Sequence, residues 1–251
     1  MRQFAYCTAG SSPALDIAQT LLLRQGCKVL PVPESSATHL LLPVPSFDAD
    51  GNLKGGNLED VLPKLSPDVI VMGGGLNSAM LKDYRTVDFL KDPVYLAHNA
   101  AITAQCALRL LLWHLREDIR GCNILIIGWG RIGKCLAAAL KALGANVSVA
   151  ARKEADRAML MALGYGAETP ERVGAGLQRY RAVINTAPAK VLDEAAVSHC
   201  RADCLKIDLA SVKGLPGNDV LIARGLPGKD APGASGRLIA QTVLRLSNKE
   251  G

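Results

Sequence analysis

Gly128, Gly130 and Gly133 stand between an apolar run and an alanine- and leucine-rich run, in the pattern Gly128-Trp129-Gly130-Arg131-Ile132-Gly133. The run Ile124–Ile127 reads as a buried parallel strand. The residues after the glycines have helical spacing and stop at Gly144. A strand, a glycine turn and a helix start this close together make a seat for a pyrophosphate. The first glycine permits the tight turn, the second lets backbone approach the phosphates, and the third lets helix pack on strand. The helix then turns its free N–H groups and positive dipole end toward the anion. Trp129, Arg131 and Ile132 complete the turn and share its contacts by position. A bare glycine fingerprint is a weak signal, but here both flanks fit and a second strand, 146–150, follows on schedule. The pattern predicts a dinucleotide site.

That second strand ends in Ala150-Ala151-Arg152-Lys153. A cofactor with a free ribose 2′-hydroxyl is usually met there by Asp or Glu, and no acid occurs before Glu154. Arg152, with Lys153 beside it, is placed to pair with a 2′-phosphate, which favours NADP over NAD. The alternative is that the two cations only open an exposed helix.

The elements that must position these residues fit an α/β layer protein. A chain of 251 residues, 49% hydrophobic and 21% charged, has room for one large or two modest domains, each with its own core. No apolar run approaches the roughly 18 residues of a membrane span. Met1-Arg2 leads directly into strand-like residues 3–7 without a signal-peptide pattern, so a cytoplasmic protein is expected. The seven cysteines are scattered and lack zinc-ligand spacing, so no metal is expected. The net charge of +6 comes from dispersed Lys and Arg without aromatic platforms, which fits small anions better than nucleic acid.

Residues 1–98 read as a first α/β domain: a strand at 3–7, a helix over 14–25, strands at 28–32, 38–42 and 68–72, a hairpin tip at 48–56 and a short helix at 58–65. Gly73-Gly74-Gly75 is either a wall of a ligand cleft or a plain turn. A connecting segment, 99–120, is helical from about Asn99 to Leu115; Asn99 and Thr103 sit at its predicted start, where free N–H groups hold a carboxylate or Asn99 acts as the N-cap. Residues 121–235 form the dinucleotide-binding domain, and 236–251 belongs with the first, to which a closing helix at about 234–246 returns. The expected fold is therefore two Rossmann-like α/β domains with parallel sheets, joined by a long helix. Strand C-termini send the loops 185–188, 208–213 and 224–230 toward one cleft.

Those loops carry a resemblance. Ile-Asn-Thr-Ala-Pro-Ala (184–189), Ile-Asp-Leu-Ala-Ser (207–211) and Gly-Leu-Pro-Gly-Lys-Asp-Ala-Pro-Gly-Ala-Ser-Gly (225–236) resemble the dipicolinate synthase A family, as does Asn99-Ala-Ala-Ile-Thr-Ala. The likeness is good over roughly 99–246 and weak before it. Gln105 stands where that family has an acid, and Ser235 where it has Thr. Ser-Val-Lys-Gly (211–214) replaces its more usual Ser-Lys-Pro-Gly.

The resemblance implies NADP-dependent oxidation of a dihydrodipicolinate-type ring to dipicolinate in the mother cell of a sporulating bacterium, beside a second, flavoprotein-like subunit. It implies a dicarboxylate substrate, for which Lys229, Arg224 and Lys213 are the available cations, with Ser235 and the last helix's N-terminus adding donors. Lys229 and Ser235 are the candidates for catalysis; Asn99, Thr103, Lys213 and Arg224 are those for substrate binding. Asn185, Thr186, Ala187 and Pro188 would line the cofactor, with Asp208 and Ser211 near its nicotinamide end, unless Asp208 caps its own loop. Each of the three cations also fits a solvated loop residue. Two other readings stay open: a hydroxyacid dehydrogenase, which wants a late His paired with a carboxylate where the last is His199, and a nucleotide-binding assembly subunit without activity. A homo-oligomer is compatible with either.

Overall fold

A computed structural model of the protein describes residues 4–247. The chain divides into two compact units, one formed by residues up to Asn99 together with the segment from Pro227, the other by Ala100–Leu226. Each has its own parallel sheet.

In the first unit, β1 (Ala5–Thr8), α1 (Pro13–Arg24), β2 (Lys28–Val29), β3 (His39–Leu41), β4 (Ile70–Gly73) and β5 (Arg85–Asp88) form a five-stranded sheet ordered β2-β1-β3-β4-β5. Every pairing is parallel. Pro13 opens α1 after Ser12, whose side chain accepts the Leu15 N–H at 3.2 Å, so start and cap agree. Residue 3 of the predicted first strand lies outside the described residues. The predicted hairpin tip forms around the Phe47–Leu53 bridge, where Asp48 Oδ1 accepts the N–H groups of Asp50 and Asn52.

Three readings change in this unit. Residues 58–65 hold only a 3-10 turn, Leu62–Lys64. The triple glycine is a packed turn: Gly74 N–H donates to the buried Ser46 hydroxyl, and a Cβ on Gly73 or Gly74 would lie 2.6 Å from Ser46 Oγ or 2.5 Å from Val44. The strand β5, absent from the sequence reading, is a half-exposed edge of polar residues without an apolar signal.

His39 is buried in the middle of this sheet, 1% exposed, against the rings of Phe4 and Tyr6. Its Nδ1 lies 2.8 Å from the Thr38 hydroxyl, which itself donates to Ala5 O. That arrangement makes Nδ1 the donor and leaves Nε2 a bare lone pair, buried without a partner among the described residues. Desolvation, helped by the Arg85 charge, lowers the imidazole to about 4. The unfolded chain therefore takes up this proton first, near 6.5, so stability is intact above that value and falls as the pH drops toward 4. The contribution amounts to at most about 3 kcal/mol. Urea melts at pH 7 and 4.5 should show His39→Phe losing less stability than the wild type over that interval; equal losses would remove His39 from the acid response.

The helix α2 (Pro93–His114) carries the chain from one unit into the next. It starts at Pro93, with the Asp92 carboxylate accepting the Tyr95 N–H at 2.7 Å. The start predicted at Asn99 is thus corrected. Asn99 and Thr103 lie inside the helix, where their N–H groups belong to the helical ladder.

The second unit contains β6 (Asn123–Ile127), α3 (Arg131–Ala142), β7 (Asn146–Ala150), α4 (Glu154–Ala162), β8 (Gly166–Glu168), α5 (Pro170–Val173), β9 (Ala182–Asn185), α6 (Glu194–Ser198), β10 (Leu205–Asp208) and β11 (Val220–Ile222). All six strands are parallel, in the order β11-β10-β9-β6-β7-β8. Their core residues Leu125, Ile126, Val149, Val183, Ile184 and Ile207 are essentially inaccessible, as expected for strands covered on both faces. The edge strand β8 is a second element without an apolar signal. The chain then forms α7 (Leu226–Asp230) where a loop is predicted at 224–230, and α8 (Pro232–Ser247). Within the first unit α8 packs on α1, so closely at Gly236 that a Cβ there would sit 2.7 Å from Ala14 O.

Candidate functional site

Strand order reverses between β6 and β9, and ligands of open parallel sheets bind outside the strand C-termini at such a point. The loops leaving these strands, together with those after β7 and β8, enclose a groove of about 790 Å³. Gly128, Trp129 and Gly130 form one side, Thr186, Ala187 and Pro188 another, and Arg152 and Lys153 lie at the end of β7.

Each glycine of the turn has its own geometric demand. Gly128 has φ +106°, and a Cβ on it would approach Thr186 Oγ1 to 2.7 Å. Gly133 is packed behind the turn, where a Cβ would meet Gly128 O at 2.2 Å. Gly130 is different: nothing lies within 4 Å of the position its Cβ would take. That open space faces the start of α3, whose N-cap, Gly130, supplies no side-chain hydrogen bond. The seat is thus free of side chains next to the first N–H groups of α3, as a diphosphate requires. Arg131 and Ile132 belong to the first turn of α3 but do not line the groove.

Thr186 locks the two walls, donating to Ile127 O at 3.0 Å and lying 3.3 Å from Gly128 O. Behind it Asn185 is fully buried. Its Oδ1 accepts the Ala187 N–H, and its Nδ2 donates to Ala187 O and to Asp208 Oδ1. Asp208, also fully buried, accepts three further N–H groups, from Ala210, Gly214 and Leu215. Asn185 and Asp208 therefore do not face the groove, and four donors from the protein occupy the Asp208 carboxylate. Of the two roles open to Asp208, holding its own loop is the one these hydrogen bonds fill.

The cations separate into two groups. The Arg152 and Lys153 side chains are exposed at the groove, with no hydrogen-bond or ion-pair partner among the described residues. Arg224 instead donates through Nε to Ala210 O at 3.0 Å, and Lys213 Nζ to Gly217 O at 3.2 Å. Ser211 is exposed on the loop that Asp208 holds and does not line the groove. In the other unit Lys229 is exposed on α7, and Ser235 is buried in α8, its hydroxyl without a hydrogen-bond partner among the described residues. Thr103 is buried and Asn99 half-buried on α2.

Three charged groove residues escape the sequence reading: Asp156 on α4, Glu171 on α5 and Lys190 after β9. None belongs to a recognisable motif. Their presence follows from how α4, α5 and the 186–191 loop fold around the opening.

No family model matches the chain. A curated protein does: dipicolinate synthase A of Bacillus subtilis (strain 168), 26% identical over 240 residues that span 88% of this chain and 81% of that one. The sequence is similar to dipicolinate synthase A along most of its length. The crystal structure of dipicolinate synthase A from Bacillus halodurans has the same fold, with a TM-score of 0.83 and 22% identity across 97% of each chain. A transhydrogenase from Sinorhizobium meliloti shares it at a TM-score of 0.74 and 12% identity, covering 98% of this chain and 94% of that one. Dipicolinate synthase A thus stands among α/β proteins whose fold is also that of dehydrogenase-type oxidoreductases.

Proposed function

We propose that the chain is an NADP-dependent oxidoreductase that oxidises a dihydrodipicolinate-type ring to dipicolinate. The observation carrying this reading is the groove at the sheet's reversal point: a seat free of side chains at Gly130, with the Arg152 and Lys153 side chains unpaired at the end of β7 and no acid on that strand end. Gly128, Gly130 and the first N–H groups of α3 hold the diphosphate. Thr186, Ala187 and Pro188 wall the dinucleotide, with Arg152 on the 2′-phosphate. The nicotinamide supplies the hydride acceptor. The chain's own task is to hold and desolvate a dicarboxylate ring whose aromatisation supplies driving force. Lys229, exposed on α7, is the cation for a substrate carboxylate; the half-buried Asn99 is a further polar candidate, while burial keeps the Ser235 hydroxyl and Thr103 from that role. Lys213 and Arg224 each give one hydrogen bond to a carbonyl and keep further N–H donors for a substrate carboxylate.

A hydroxyacid dehydrogenase is disfavoured by placement. His199 caps the C-terminus of α6 ahead of β10, at the sheet edge opposite the groove. The relative is named as one subunit of a synthase, which supports a second subunit as partner. Among the described residues no helix is long and apolar enough to cross a membrane, and a cytoplasmic site of action, in the mother cell during sporulation, belongs to the same proposal.

The deciding experiment follows absorbance while the protein, with and without a flavoprotein subunit, meets NADP and the ring precursor. Turnover by the wild type that Lys229→Ala removes without loss of NADP binding supports the reading. A wild type silent under both conditions supports the assembly-subunit alternative. For cofactor choice, Arg152→Ala should weaken NADP at least tenfold and NAD hardly at all, since a guanidinium–phosphate contact contributes about 1.5–3 kcal/mol. Equal losses in a calorimetric titration would reject the assignment.

A further inference from the structure

At the far end of β10 from the groove lies a cluster that the proposed reaction does not use. Cys200 follows α6, Cys204 immediately precedes β10, and residues 201–203 make an exposed turn between them. Two backbone bonds fix that turn, Cys200 N–H to Val197 O and Cys204 N–H to Arg201 O, both 3.0 Å. Cys204 is buried, whereas Cys200 is half-buried and opens on a cavity of about 340 Å³. Beneath the pair is Lys206, buried except for 4% of its surface, its ammonium 2.7 Å from Asp219 and 3.4 Å from Cys204 O. The same cavity is lined by Glu194, Arg201 and Asp219.

A buried ammonium beside a thiol favours the thiolate, and a second thiol that donates to that thiolate favours it further. The Cys204 thiol, and after it the Lys206 charge, hold Cys200 down to about 7 against burial and the Asp219 charge, while Cys204 is pushed well up. The remaining cysteines at which a shift is resolved, Cys7, Cys27 and Cys122, are all raised by burial. The geometry divides the pair in the same way: Cys200 opens on the cavity with Lys206, and Cys204 is buried across the 201–203 turn with its thiol 3.9 Å from Leu205 O.

We propose that Cys200 and Cys204 form an oxidant-reactive dithiol, with Cys200 the attacking thiolate, Cys204 the resolving thiol and a hydroperoxide the oxidant. The Cys200 sulfur attacks one peroxide oxygen; the O–O bond breaks, an S–O bond forms, and the departing oxygen takes a proton to leave as water or an alcohol. Cys204 then attacks the Cys200 sulfur, the S–O bond breaks, and its hydroxyl leaves as water with the Cys204 proton. Two thiols are oxidised by two electrons and one peroxide is reduced. A strand's length separates this cluster from the groove, so the proposal stands apart from nucleotide binding.

Trypsin makes the test direct, because it cleaves after Lys190, Arg201 and Lys206 and puts the two cysteines on separate peptides, 191–201 and 202–206. The full chain is treated with hydrogen peroxide, its remaining thiols are blocked with N-ethylmaleimide in acid, and the digest is mapped by mass. The expected product is peptide 191–201 joined to 202–206, reversed by dithiothreitol and formed roughly tenfold faster than oxidation at any other cysteine. In Cys204→Ser, dimedone should instead trap Cys200 as sulfenic acid. Oxidation of Cys200 at the rate of the other cysteines, over-oxidation of Cys200 in the wild type without the cross-link, or no reaction would each overturn the proposal; the wild-type map alone decides it if the variant fails to fold.

Discussion

Gly130→Val should abolish binding of the nicotinamide nucleotide while leaving the fold intact. The added Cβ has no atom within 4 Å beyond its local backbone, and φ at this residue is −80°, which an ordinary side chain adopts freely. The change costs α3 only what a poorer N-cap costs, about 1 kcal/mol. What the side chain fills is the space assigned to the diphosphate, and it keeps the phosphates from the N–H groups of α3. An affinity loss of at least a hundredfold, about 3 kcal/mol, is expected by calorimetry. Gly133→Ala provides the contrast. Its Cβ would be driven to 2.2 Å from a main-chain oxygen that cannot yield as a flexible side chain would, so both stability and binding should fall. If Gly130→Val binds nucleotide like the wild type, the groove holds its ligand somewhere other than on this turn.

The difference between those two glycines also marks how far the site can be read from sequence. Spacing alone assigns a role to each glycine because those roles are local, set by a strand, a turn and a helix in direct succession. Strand 146–150 and the ends of α3 are legible for the same reason. What is not legible has no local signal. β5 and β8 lie on sheet edges with few apolar residues, so no periodicity marks them, and they are strands because a neighbouring strand offers them partners. α2 begins six residues before Asn99 because Asp92 and Pro93 together make a start that taking Asn99 as the N-cap overlooks.

Polar residues on the β9 and β10 loops show the converse. Asn185 and Asp208 look like ligand-binding residues by type and by place at strand ends. Burial instead turns them inward, and only the hydrogen-bond partners show what they hold. Arg224 and Lys213 are cations on loops beside the sheet's C-terminal edge, yet each reaches a carbonyl of its own unit. Residue type and strand register place a side chain near an edge; whether it faces ligand or protein depends on contacts many residues away.

Asp208 gives that conclusion its sharpest test, since removing it should cost the protein more than any change at the groove's rim. Asp208→Ala leaves the N–H groups of Ala210, Gly214 and Leu215 without their acceptor and takes one from the Asn185 amide, all in a site where the wild-type residue is 0% exposed. Stranded buried donors cost about 1–3 kcal/mol each before relaxation. A net loss of about 4 kcal/mol is expected, a large share of the 5–15 kcal/mol or so that holds a domain folded. The damage should also reach the groove. Asn185 orders residue 187 through both of its side-chain atoms, and Val191 N–H bonds Gly214 O, so the 186–191 wall rests on the loop that Asp208 ties down. Asp208→Asn should be milder but still unfavourable, because whichever way the amide turns, its NH₂ confronts donor groups. Urea melts read the stability, and nucleotide titration of the surviving folded fraction reads the wall. A loss under about 1 kcal/mol for Asp208→Ala would mean that water satisfies those donors and that the carboxylate is free for another role.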